Sequence, residues 1–164
     1  MIYMELLSEI LASKELWTVV YSAIPITELR ATIPLAITVW HIQPLLAFVL
    51  AVIGNSLPIL IIILGLNKIV QLAERYSKFW TKIIQAVLQR TQRRTWQKFE
   101  KYGLLALFFF VAIPLPLTGA WTGSIAAWLF GVPARKAFWP IFAGVIVAGI
   151  IMTSLTVGTT AVFK

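Results

Sequence analysis

Twenty-two consecutive residues, Leu45 to Leu66, carry no charge, and this run leaves the chain few places to fold. At a 1.5 Å rise per residue, a helix of that length crosses a hydrocarbon layer of about 30 Å. The run is not isolated, because Tyr102–Phe130 and Ala137–Val157 are also apolar. Charged residues make up 12% of the chain, against about 25% in soluble domains. An all-α integral membrane protein follows. Asp and Cys are absent and His41 is the sole histidine, so thiolate chemistry, disulfides and a zinc centre are excluded and no cofactor or metal is expected. The formal charge of +8 is concentrated, with nine Lys or Arg against two Glu between Asn67 and Lys101. A cytoplasmic segment lying against anionic lipid explains this better than nucleic acid does, so no nucleic-acid partner is expected.

Around these runs the chain divides into a first repeat (1–66), a basic linker (67–101) and a second repeat (102–164), all within one membrane domain. Residues 1–15 place Met4, Leu7, Ile10 and Leu11 at helical spacing opposite Glu5, Ser8, Glu9 and Glu15, which predicts an interfacial amphipathic helix. Its acidic leading end is unlike a signal peptide. Residues 17–42 are apolar except for Thr27-Glu28-Leu29-Arg30, and Pro25 and Pro34 bracket the charged pair. Neither apolar arm reaches the roughly 20 residues of a full span. A re-entrant hairpin is therefore expected in preference to one kinked span with charges buried midway. The linker repeats Ile69, Leu72, Ala73, Tyr76, Phe79, Trp80 and Ile83 every three or four positions, with Lys68, Arg75, Lys78 and Lys82 on the other face. That pattern predicts a basic amphipathic helix. The second apolar block is broken by Pro114, Pro116, Gly119 and Gly123, which suits two half-helices around a loop.

The two halves resemble each other. Ala23-Ile24-Pro25 recurs as Ala112-Ile113-Pro114 at an offset of 89, which also carries Pro44 onto Pro133 and Ala31 onto Ala120. With the linker inside, the span at 45–66 runs inward and the last span runs outward. Arg135 and Lys136 then fall on the cytoplasmic side, as the positive-inside rule requires. The expected fold is two inverted-topology repeats, each a re-entrant helical hairpin followed by a transmembrane helix, joined by the basic cytoplasmic helix of a multi-pass cell-membrane protein. Inverted repeats of this kind hold substrate where broken helices meet.

The polar residues at those breaks are the candidate site. Glu28 lies within an apolar block, where a carboxylate is costly unless paired or hydrated, so it suits proton or substrate coupling; a structural contact with Arg30 is the plainer reading. A guanidinium such as Arg30 clamps phosphate bidentately. Thr27, Thr32, Thr118 and Thr122 offer hydroxyls, Asn55 an amide, Gly119 and Gly123 close backbone approach, and Trp121 a ring for the cavity wall. Pro25, Pro34, Pro58, Pro114 and Pro116 are the expected hinges. No nucleophile–base pair or phosphate loop is visible, so an enzyme is not expected.

Three stretches carry a family resemblance: Glu28-Leu29-Arg30-Ala31-Thr32-Ile33-Pro34, the Gly54-Asn55-x-x-Pro58 patch, and Pro114-x-Pro116-x-x-Gly119-Ala120-Trp121-Thr122-Gly123. Together they resemble the small multidrug export protein family over nearly the whole chain, with Ala31 where that family usually has Gly. The family is distantly similar to the DedA and VTT membrane proteins, which implies two facing re-entrant hairpins with proton-linked transport or lipid scrambling. On that resemblance the expected function is a transporter or flippase, proton-coupled, for an anionic lipid-linked phosphate, with Arg30 holding the anion and Glu28 exchanging the proton. The alternatives are an exporter of small amphipathic cations with Glu28 as counter-charge, and a membrane-structural or scramblase protein. Expected partners are membrane lipids, with anionic lipid at the linker, and protons. The shortness of the chain adds a homodimer to that list.

Overall fold

The computed structural model describes residues 13–76, 102–115 and 118–162. Most of the two amphipathic segments, and the hinge expected at Pro116, lie outside the described residues. Every described regular element is an α-helix: α1 (Lys14–Ala23), α2 (Glu28–Thr38), α3 (Pro44–Tyr76), α4 (Tyr102–Ala112), α5 (Ala120–Leu129) and α6 (Ala134–Val162). Among the described residues two helices are long and apolar enough to cross a membrane: Pro44–Leu66 within α3, with mean hydropathy 2.6, and α6, with mean hydropathy 2.2. The chain forms two compact units, one of residues 1–57 and 145–164, the other of residues 58–144.

In the first unit, α1 begins where Ser13 accepts a hydrogen bond from the Leu16 amide (3.2 Å) and Glu15 occupies the first turn, a favourable arrangement for the helix dipole. It stops at Ala23 because Pro25 disfavours helical geometry in the residue before it. The chain then doubles back. Lys14 Nζ, at the start of α1, donates to the Trp40 carbonyl just beyond α2 (3.2 Å), and the Tyr21 and Trp40 rings lie 5.8 Å apart. One kinked helix would hold those ends about 40 Å apart at 1.5 Å per residue, so residues 14–40 form a helical hairpin. Pro34, expected at a break, instead sits inside α2. A proline's φ suits a helix, and its missing N–H releases only the Arg30 carbonyl. Leu29, Ile33 and Ala36 (none more than 1% exposed) anchor the helix on both sides of it. Pro58 likewise lies within α3. Ala31 is exposed, so its methyl group meets no tight packing constraint.

In the second unit, α4 and α5 also lie side by side. A Cβ on Gly123 would come within 2.7 Å of Val111, and Ala106, Leu107 and Phe110 share an apolar groove with Ala126 and Phe130. Contacts that pair rising with falling residue numbers mark a second reversal of the chain.

The two units share a pattern of backbone contacts, made by glycines 90 residues apart. In the first unit, a Cβ on Gly54 would lie 2.2 Å from the Val19 carbonyl oxygen and 2.9 Å from Ser22 Cβ. In the second, a Cβ on Gly144 would lie 2.9 Å from the Phe108 carbonyl oxygen and 2.8 Å from Val111 Cβ. Residues 19 and 22 shifted by 89 are 108 and 111. Each long helix thus presses a glycine against equivalent backbone of the first arm of its hairpin. Small residues allow such close approach where lipid removes the hydrophobic drive for helices to associate. The connectors into the long helices each contain one left-handed residue, His41 (φ 56°) and Gly131 (φ 72°), though not at the offset of 89 that relates the sequence identities.

Candidate functional site

The first break spans residues 24–27. Ile26 is 92% exposed at its tip, and Thr27 folds back to donate its hydroxyl to the Tyr21 carbonyl, closing the end of α1. Glu28 therefore opens the second arm and is not itself the tip. Its amide donates to the Ile24 carbonyl (3.0 Å), and the residue is only 5% exposed. Its backbone is left-handed, with φ 43°, a conformation that costs an L-residue with a Cβ about 1–2 kcal/mol. The second break also contains a residue with positive φ, Gly119, at φ 147° directly before α5. There the positive φ falls on the residue type suited to it, whereas at the first break it falls on a buried glutamate. Strain of this sort persists where surrounding structure enforces it, and it concentrates at functional positions.

Arg30 reaches towards the glutamate, with its guanidinium 3.9 Å from Glu28 Oε2 and side-chain exposures of 17% and 7% respectively. That separation exceeds the roughly 2.7–2.9 Å of a charge-assisted hydrogen bond. Thr32 is buried one turn along and donates to the Glu28 carbonyl (2.6 Å). Asn55 lies in the same unit on α3, 1% exposed, and its Oδ1 has no hydrogen-bond partner among the described residues. An orphaned buried acceptor costs about 1–3 kcal/mol, so Asn55 stores a second local penalty.

The remaining candidates belong to the second unit. Thr118 donates to the Leu115 carbonyl (2.9 Å) and Thr122 lies 3.4 Å from the Gly119 carbonyl. Trp121 is partly buried and Gly119 and Gly123 are buried. Pro114 lies in the non-helical break. All four threonine hydroxyls thus lie within hydrogen-bond reach of nearby backbone carbonyls.

Sequence reasoning passed over Thr18 and Ser22. Both are fully buried on α1, donating to the Lys14 carbonyl (2.8 Å) and the Thr18 carbonyl (2.7 Å). Their spacing of four, small residues on one helix face, was the available signal. Among the described residues, no group of three His, Cys, Asp or Glu side chains is placed to hold a metal ion.

No curated protein and no solved structure shows significant similarity to the chain. Residues 28–151 match the family described as "Putative small multi-drug export protein", and the match begins at Glu28, directly after the first break, and takes in the second. On that match over most of its length, the chain belongs to the small multi-drug export family, a family of transport proteins and not of enzymes.

Proposed function

We propose that the protein exports small amphipathic cations, with Glu28 as the counter-charge exchanged between Arg30, a proton and the substrate. The observation that carries this reading is a buried carboxylate held in left-handed backbone beside a guanidinium 3.9 Å away. A purely structural ion pair has no need of the strain, which a glycine would relieve. The arms of the hairpins have 10 or 11 residues, or about 15–16 Å of helix. That is half of a hydrocarbon core, so each hairpin dips in and returns, and the breaks lie near the midplane. In the inverted arrangement both termini are outside and the linker is cytoplasmic; cysteines introduced at residues 3 and 162 would both label from outside.

Family membership favours this cation reading over a flippase for lipid-linked phosphate, in which Arg30 would hold the anion. The greater exposure of Arg30 relative to Glu28 supports that second reading. Proteoliposomes separate the two. With a pH gradient imposed, wild type is expected to move ethidium, and Glu28→Gln to abolish that movement. Transport of a fluorescent polyprenyl phosphate but not ethidium, lost in Arg30→Ala, would replace the cation reading with the anionic-lipid one. Ethidium transport undiminished in Glu28→Gln would remove Glu28 from the mechanism.

A further inference from the structure

Within the second unit an apolar groove of about 270 Å³ runs between α3 and the beginning of α6. Leu60, Ile63 and Leu64 form one wall, Phe138 and Trp139 the other, and Arg135 is the sole charged residue lining it among the described residues. The groove lies in the last two turns of the apolar part of α3, which ends at Leu66, so it opens where a membrane-spanning helix leaves the hydrocarbon. Its volume falls just below the roughly 300–1,000 Å³ of pockets for drug-sized ligands, and its walls offer almost nothing to hydrogen-bond. A flexible hydrocarbon chain suits it better than a compact polar molecule.

Charge decides what that chain is attached to. Arg135 and the adjacent Lys136 are both exposed, and among the described residues neither has an ion-pair partner. Both stand in the first turn of α6, which contains no acidic residue. Cations there oppose the helix dipole, whose N-terminal end is already positive. An amphipathic cation would be repelled from this end of the groove, which separates it from the proposed export path. An anionic head group would be drawn to it.

We propose that the groove binds one anionic phospholipid, its phosphate at Arg135 and one acyl chain between Leu60–Leu64 and Phe138–Trp139. The site shares no residue with the Glu28 site, and its occupancy does not depend on what the protein exports.

Trp139, 68% exposed on the groove wall, provides the readout. The full chain is reconstituted in phosphatidylcholine bilayers containing a minor fraction of lipid brominated on its acyl chains, either phosphatidylglycerol or phosphatidylcholine. The Trp139 contribution is the difference between wild type and Trp139→Phe. One basic residue near a membrane surface favours anionic lipid about five-fold, so brominated phosphatidylglycerol should quench Trp139 at about one-fifth the concentration needed for brominated phosphatidylcholine. Arg135→Gln should remove most of that preference and Arg135→Lys should keep it. Equal quenching by the two lipids in wild type would overturn the proposal, as would a preference that survives Arg135→Gln combined with Lys136→Gln. If Arg135→Gln fails to fold, the wild-type comparison still decides.

Discussion

Gly54→Ala gives a quantitative test of how the first hairpin is held. The new Cβ would sit 2.2 Å from the Val19 carbonyl oxygen, and real Cβ contacts essentially never fall below 3.0 Å. Either α1 or α3 must therefore shift by at least about 0.8 Å, the difference between those distances. The clashing atom is backbone, so no rotamer change relieves it. Overpacking costs about 1–3 kcal/mol, and a rigid backbone clash belongs at about 3. Replacing a helical glycine with alanine returns about 1 kcal/mol, leaving a net loss of about 2. Gly65→Ala is the internal control, since its Cβ would meet nothing within 4 Å on the same helix, and it should gain about 1. The two variants should differ by about 3 kcal/mol, or on the order of 5–10 °C in Tm for a chain of this size, read from tryptophan fluorescence during thermal unfolding in detergent. Adding Ser22→Gly should not rescue Gly54→Ala, because the shorter contact is to the Val19 carbonyl. Equal stabilities within about 0.5 kcal/mol, or full rescue by Ser22→Gly, would refute the close packing of α1 on α3.

Glu28→Gly is expected to raise the stability measured in the same assay by about 1 kcal/mol, since glycine adopts positive φ without strain, while ethidium transport is lost; a fall in stability would show that the left-handed turn is not strained. Asn55→Leu should stabilise by about 1 kcal/mol by removing a buried acceptor that lacks a partner, and destabilisation of that size would mean the amide is satisfied in the membrane. The native chain contains no cysteine, so Lys14→Cys with His41→Cys can be bridged directly by a bis-maleimide of about 10 Å, whereas one continuous helix would separate them by about 40 Å. Absence of bridging in folded protein would remove the first hairpin.

Much of this fold is written in local signals. The prolines at 44 and 133 and the broken block at 114–123 mark helix ends that depend on chain-local physics, whereas α3 runs on past the end of the charge-free stretch to Tyr76. Pro34 shows where that reading weakens, because whether a proline ends a helix or is carried through depends on the packing of Leu29, Ile33 and Ala36, which only tertiary contacts determine. The glycine contacts were hidden for a different reason. Val19 and Ser22 share no identity with Phe108 and Val111, and the Val19 and Phe108 contacts run through carbonyl oxygens, which every residue possesses. Glu28 stood out in the sequence as a charge in an apolar block, but its left-handed backbone did not. Glutamate has no preference for that conformation, and the turn is imposed by the closure of Thr27 onto Tyr21.

The brevity of the hairpin arms also constrains how the protein is made. Residues 14–38 leave the ribosome before α3, yet neither α1 nor α2 has the roughly 20 apolar residues needed to cross a bilayer alone. The Val19 carbonyl packs against Gly54, a partner about 35 residues further along. In the re-entrant arrangement proposed above, the first hairpin waits at the membrane surface until α3 has been threaded, and only then settles against it. A nascent chain halted near residue 43 should remain extractable by alkaline carbonate, and one extended beyond residue 76 should resist extraction.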